Sequence, residues 1–309
     1  PPNLFWGFFY VQHIMELRYW ALLTFLGAIW GSAFIFTKTG TPEFGPIALV
    51  NARLIIASLI FLPILLQPRY LKLLPPIWKY VVVLAVTNCA IPFTFFSLAS
   101  LGSDSNMLAI LNSTVAFNTM IIAFFWLNES VTPKQVVGLV IGFIGVYVLV
   151  NPESSSTTLL SSICCLIGSF FYSFSNVFIQ KYSHKTNKLV LIGWSLVFSS
   201  VLMLPITLFN LPTSMPSNDA LLSVLWLGAI STGFAFLGYV RLIEKIGAVR
   251  TSIVAYLLPI FGILWGRIFL DEVITFNILI GCGIVLIGIF LATTNNKPIS
   301  QITKEAVNE

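Results

Sequence analysis

The sequence predicts an all-α integral membrane protein: ten transmembrane helices forming two inverted five-helix repeats. Three observations predict it. Of 309 residues, 57% are hydrophobic and only 9% charged, whereas a water-facing domain carries about 25% charge. Apolar runs of spanning length recur, and 154–180, 189–218 and 273–296 contain no Asp, Glu, Lys or Arg. Finally, the chain repeats itself. WLNESVT (Trp126–Thr132) returns as FLDEVIT (Phe269–Thr275), so that Leu127 and Leu270, Glu129 and Glu272, and Thr132 and Thr275 all stand 143 positions apart.

Lipid offers backbone groups no water to bond, so the apolar runs must be helices or barrel strands. Their length and lack of alternation select helices. The first run, 18–38, stops at Gly40-Thr41-Pro42, which reads as a turn. The second spans 45–67, and Pro75-Pro76 separates it from the third, 78–100. The fourth spans 105–127. The fifth, 134–150, opens at Thr132-Pro133-Lys134-Gln135, where Thr132 can cap, Pro133 suits the first helical position and Gln135 can complete a capping box. Asn151-Pro152 closes it. The sixth and seventh runs are 157–181 and 188–209, with a turn at Pro212-Thr213. Runs 219–241, 249–269 and 273–293 complete the set. Residues 15–150 and 151–296 are then the two repeats, with 297–309 a cytoplasmic tail. Residues 1–14 precede Met15, are too short to span a bilayer, and read as additional to the natural chain.

The basic residues set the orientation. With ten spans, one face holds Arg18, Arg69, Lys72, Lys79, Lys134, Lys181, Lys185, Lys188, Arg241, Lys245, Arg250, Lys297 and Lys304, which is 13 of the 16. The other holds only Lys38 and Arg267. The crowded face is expected in the cytoplasm, with both termini, in the cell's inner (plasma) membrane.

The repeat reaches beyond seven residues. Ser32 and Lys38 return as Ser175 and Lys181, and Gly138 and Gly145 as Gly281 and Gly288, at the same offset. Leu62-Pro63-Ile64 returns as Leu204-Pro205-Ile206. Five is odd, so the two copies must insert with opposite orientation. Inverted repeats are a carrier architecture whose substrate site lies near the midplane between the copies.

GAIWGSAFIFTK (Gly27–Lys38), the spacing from Pro259 to Glu272 and the glycine-rich helix that follows resemble the EamA-type family of the drug/metabolite transporter superfamily. The resemblance covers 17–293. It implies a ten-helix carrier that moves small organic metabolites by alternating access, with amino acids or their derivatives as the substrate class and export as the favoured direction. One departure is visible. Ala116 stands where the second repeat has Pro259, so a proline-bent fourth helix is not expected.

Polar groups inside spans are costly unless they face a cavity or a neighbour. Arg53 is the sharpest such group, either receiving a substrate carboxylate or phosphate, or snorkelling outward, or pairing with Glu43. Asn88, Asn112 and Asn176 can read a zwitterion through donor and acceptor, or act as packing glue. Trp30, Tyr172, Tyr239 and Tyr256 can wall a cavity or simply pack. Ser32 and Ser175, equivalent in the repeats, are expected to approach the midplane from opposite sides. Glu129 and Glu272 read as solvated or capping carboxylates rather than a proton relay. Gly138-Leu-Val-Ile-Gly142 suggests close helix crossing, within a monomer or in a homodimer.

Other classes find little support. Cys89, Cys164, Cys165 and Cys282 lie in apolar runs and read as small hydrophobes, not metal or disulfide ligands. The net charge of +5 does not cluster as a nucleic-acid surface does. His13 and His184 are the only histidines, and no catalytic constellation or phosphate-binding loop accompanies them. No cofactor is implied; the expected partners are a small-molecule substrate and membrane lipid. A membrane-embedded enzyme or a non-transporting structural protein is the alternative reading.

Overall fold

The structure, a computed structural model, describes residues 16–150, 157–182, 186–246, 251 and 254–293. Every regular element among them is helical. In chain order the long helices are α1 (Leu17–Phe44), α2 (Pro46–Leu65), α3 (Trp78–Ser100), α4 (Ser105–Leu127), α5 (Pro133–Val150), α6 (Leu159–Tyr182), α7 (Lys188–Leu208), α8 (Asn218–Ile246), α9 (Val254–Leu270) and α10 (Phe276–Thr293). Seven of them are long and apolar enough to cross a membrane, while α5, α9 and α10 are shorter apolar helices. A single helical turn, Pro68–Leu71, lies between α2 and α3. The outer surface is apolar, with Phe25, Leu59, Phe125, Leu202 and Phe269 all exposed, as a lipid-facing surface requires. Residues 1–14, Asn151-Pro152, His184 and the tail 297–309 lie outside the described residues.

One expectation about a helix end fails. Gly40-Thr41-Pro42 is no turn, because α1 continues through Pro42 to Phe44. Thr41 Oγ1 stays within the helix, donating to Thr37 O at 2.6 Å, and the chain reverses at Gly45, whose φ of 72° suits glycine. Helix α4, which lacks the proline, is interrupted all the same. Its helical turns stop at Asn112 and resume at Val115. Ser113 Oγ donates to Ile110 O at 2.5 Å and Thr114 Oγ1 to Leu111 O at 2.7 Å. Hydroxyls that bond back to their own helix compete with the backbone ladder and bend it.

The start of α5 is the expected capping box. Thr132 N donates to Gln135 Oε1 at 2.8 Å and Gln135 N to Thr132 Oγ1 at 3.4 Å.

Packing follows the sequence repeat. Helix α5 crosses α10, and α2 packs on α7. The pair α1–α9 has its counterpart in α6–α4, α3–α6 in α8–α1, and α2–α8 in α7–α3. The α5–α10 crossing runs on glycine. A Cβ on Gly288 would stand 2.6 Å from Gly142 Cα, and one on Gly138 2.7 Å from Gly288 O. The glycine pattern therefore serves a crossing inside one chain.

The repeat also extends to an irregularity. Helix α3 widens into a π-helical segment at Ala85–Ala90 and α8 at Trp226–Phe234. Adding 143 to 85–90 gives 228–233, which lies inside the second segment. Widened turns free backbone carbonyls and are frequent at functional sites.

Candidate functional site

Each π segment packs against the opposite repeat. Gly228 and Gly233 let α8 lie against Ile56 and Ile60 of α2, where a Cβ would come within 2.6 and 2.5 Å. Trp30 Nε1 of α1 donates to Ser231 O at 3.0 Å, and Trp226 Nε1 to Ser32 Oγ at 3.0 Å. On the other side, Ser175 Oγ of α6 donates to Thr87 Oγ1 at 2.8 Å. Ser32 and Ser175 thus hold equivalent places, each tied to the π segment of the other repeat, and both are buried.

Arg53 sits between these segments. Its Nε donates to Thr232 Oγ1 at 2.7 Å, and its guanidinium carbon lies 3.8 Å from the centre of the Phe93 ring. Thr232 is held in turn, donating to Leu227 O at 2.7 Å across the widened turn. Tyr172 of α6 packs edge-on against Phe93 at 5.9 Å and tilted against Phe96 at 5.8 Å. Glu43 is not available to Arg53, because it accepts from Ser217 N at 2.6 Å and Ser217 Oγ at 2.7 Å. Among the described residues no carboxylate forms an ion pair with Arg53. A guanidinium has five donors. The Thr232 hydroxyl takes one of them, and the Phe93 ring lies against the planar face.

The remaining expected residues divide. Trp30 and Tyr239 are edge-to-face neighbours at 5.1 Å. Asn88 is buried, with its amide 3.9 Å from Cys89 Sγ. Asn112 stands at the break in α4, with its buried Oδ1 unpartnered. Tyr256 points away, donating to Ile289 O of α10 at 3.3 Å. Asn176 is exposed. On α6, Ser169 and Ser173 donate to α4 carbonyls, and Gly168 and Ser175 face α3. Asn176 falls between these two faces of the helix, one turn from Tyr172.

A second polar cluster lies at the end of the bundle that carries few basic residues. Lys38 Nζ is 2.5 Å from Asp104 Oδ1 and 3.5 Å from Glu272 Oε1. Glu272 accepts from Ser105 N at 2.6 Å and Asn106 N at 3.0 Å, capping α4 as a carboxylate at a helix N-terminus should. A cavity of about 490 Å³ opens beside it, lined in part by Lys38, Asp104, Asn106, Thr157 and Thr275. Cys89, Cys165 and Cys282 are buried free thiols and Cys164 is half-buried. No cluster of metal-ligating side chains occurs among the described residues.

Sequence reasoning missed Phe93, Thr232, Asp104 and Asn106. The repeat offers a partial signal, since Phe93 pairs with Phe236, and Thr232 with Cys89, at the 143-residue offset.

The EamA-like transporter family matches twice, over residues 18–151 and 159–294. Among similar proteins, an uncharacterized transporter of Archaeoglobus fulgidus is 27% identical over 89% of this chain and 98% of its own length. The uncharacterized transporter YoaV of Bacillus subtilis is 24% identical over 86% and 93%. A probable amino-acid metabolite efflux pump of Escherichia coli is 22% identical over 85% and 90%. One solved crystal structure superposes with a TM-score of 0.64 at 18% identity, covering 88% of this chain and 96% of its own, a likeness of fold.

Proposed function

The chain belongs to the EamA-like transporter family, and from that premise we propose that it is a secondary active carrier. It moves small polar organic metabolites across the cytoplasmic membrane by alternating access, in a build of ten helices and two inverted five-helix repeats. The exchange of packing partners between the halves supports the inversion, because the pairs α1–α9, α3–α6 and α2–α8 recur as α6–α4, α8–α1 and α7–α3, five helices on. Both termini are cytoplasmic on the distribution of Lys and Arg.

The observation that carries the substrate reading is Arg53, a guanidinium without an acid partner at the junction of the two π segments. Its chemistry suits a carboxylate. Tyr172 and Phe93 offer an aromatic wall, and Asn112 a free acceptor for an ammonium group. Amino acids or their derivatives combine these features, and relatives named as amino-acid metabolite efflux pumps agree with that class and with export.

Purified protein in liposomes should exchange a labelled amino acid against internal unlabelled amino acid, and the corresponding amine, which lacks the carboxylate, should not compete. Equal competition by acid and amine would remove the Arg53 reading. No exchange with any amino acid or derivative would remove the substrate class.

A further inference from the structure

We propose that the cavity at the sparsely charged end of the bundle is a second binding site, separate from Arg53, for a small aliphatic ammonium compound. Its volume of about 490 Å³ is that of a site for a small organic molecule. The lining joins the head of α4, the turn between α9 and α10, and Lys38 of α1, and it includes none of Arg53, Phe93, Thr232 or Tyr172.

The residue that calls for a ligand is Asn106, the second of α4. It is wholly buried and lines the cavity. Its backbone N–H is committed to Glu272 Oε2 at 3.0 Å, but its side-chain amide is not committed to anything. Neither Oδ1 nor Nδ2 has a hydrogen-bond partner. An amide carries two donors and an acceptor oxygen, and burying one unpaired is costly. The polar neighbours are occupied elsewhere. Lys38 Nζ lies 2.5 Å from Asp104 Oδ1 and 3.5 Å from Glu272 Oε1. Thr157 Oγ1 shares a hydrogen bond of 3.0 Å with Ser103 Oγ, and Thr275 Oγ1 accepts from Ile278 N at 3.3 Å. The amide is left to whatever enters the cavity.

Charge selects the kind of ligand. The lining holds three carboxylates, Asp104, Asp271 and Glu272, against the one ammonium of Lys38. Arg267, outside the lining, reaches the backbone oxygen of Asp271 at 3.5 Å, and counting it still leaves one negative charge in excess. Such a wall draws in a cation and turns away an anion. A ligand carboxylate would also find Lys38 already held by two acids. An organic cation suits the cavity better than a metal ion, because no cluster of metal-ligating side chains occurs among the described residues. The rest of the wall includes Met107, Leu270, Val273 and Ile278, an apolar surface against which an aliphatic chain can lie. The ammonium group then donates to Asn106 Oδ1 in the field of the carboxylates.

Thermal stabilisation of the full chain in detergent tests this, since a ligand that binds the folded state raises Tm with its concentration. The probes are isoamylamine, its neutral counterpart isoamyl alcohol and the anion isocaproate. Isoamylamine should raise Tm saturably, and the other two should not. Asn106→Leu should increase the isoamylamine concentration needed for half the effect by about tenfold or more, the scale of one charged hydrogen bond. Asp271→Asn decides the matter should the leucine variant not fold. The backbone at Asp271 is left-handed, at φ 50°, and the first repeat carries Asn128 at φ 54° in the same place, so asparagine fits there. Loss of that carboxylate should increase the same concentration about two- to fivefold at low salt, and less at high salt. The proposal is overturned if no probe acts saturably, if isocaproate acts as well as isoamylamine, or if neither variant changes the response to the amine. Binding is read here without transport. Failed amino-acid exchange would therefore remove the function proposed above and leave this site standing, and failed amine binding would do the reverse.

Discussion

At the scale of single residues, the environment of Arg53 decides what it can do. Arg and Lys carry equal charge, but only the planar guanidinium offers a fork of parallel donors while lying flat on an aromatic ring. Here the ring is Phe93 and one donor is committed to Thr232. Arg53→Lys should therefore weaken substrate binding by about 1.5–3 kcal/mol, one charged hydrogen bond, seen as a KM for exchange raised roughly ten- to a hundredfold at normal expression. Unchanged exchange kinetics would mean that the side chain only anchors α2 to α8. Sequence singled out Arg53 because an arginine inside an apolar run is costly wherever it lies. It could not name Phe93 or Thr232, because a phenylalanine among 27 and a hydroxyl beside glycines carry no individual mark.

At the scale of helices, small residues and hydroxyls set the shapes. The α5–α10 crossing brings backbones together through Gly138, Gly142, Gly145, Gly281 and Gly288. Gly288→Val would drive a branched side chain into Gly142 Cα and N, each 2.6 Å from where a Cβ begins. Overpacking of that kind costs about 1–3 kcal/mol, so the variant should melt at lower temperature in detergent, while Gly283→Val, where a Cβ meets nothing within 4 Å, should not. Equal melting of the two variants would show that the crossing tolerates separation. The break in α4 belongs to the same scale. Proline is the familiar mark of a bent span, and its absence at Ala116 gave no reason to expect a proline bend. Ser113 and Thr114 produce the interruption by hydrogen bonding instead, and such pairs are too common in membrane helices to be read as bends in advance.

At the scale of the whole molecule, charge placement and duplication make one prediction together. With ten spans and cytoplasmic termini, the turn between α7 and α8 faces outside and the 181–188 loop faces the cytoplasm. A single cysteine at Ser214, which is exposed in that turn, should react with an impermeant thiol reagent in intact cells, and one at Ser183 should not. Labelling of Ser183→Cys from outside would overturn the orientation and the helix count it rests on.

The sequence by itself determined the helical class, the membrane setting, the two repeats and the approximate helix bounds. Each follows from composition, periodicity or an exact offset, which are properties of the chain read along its length. Arg53, the Gln135 capping box and the paired glutamates were visible for the same reason. The tertiary structure alone decided that the glycines serve an internal crossing and that the π segments of α3 and α8 meet the opposite repeat. It also decided that Glu272 is fastened to the head of α4. Those contacts join residues far apart in the chain, 167 positions for Ser105 and Glu272. In lipid every helix face is apolar, so hydropathy carries no record of which face meets which neighbour; only the packing of backbones and the few polar groups between them does.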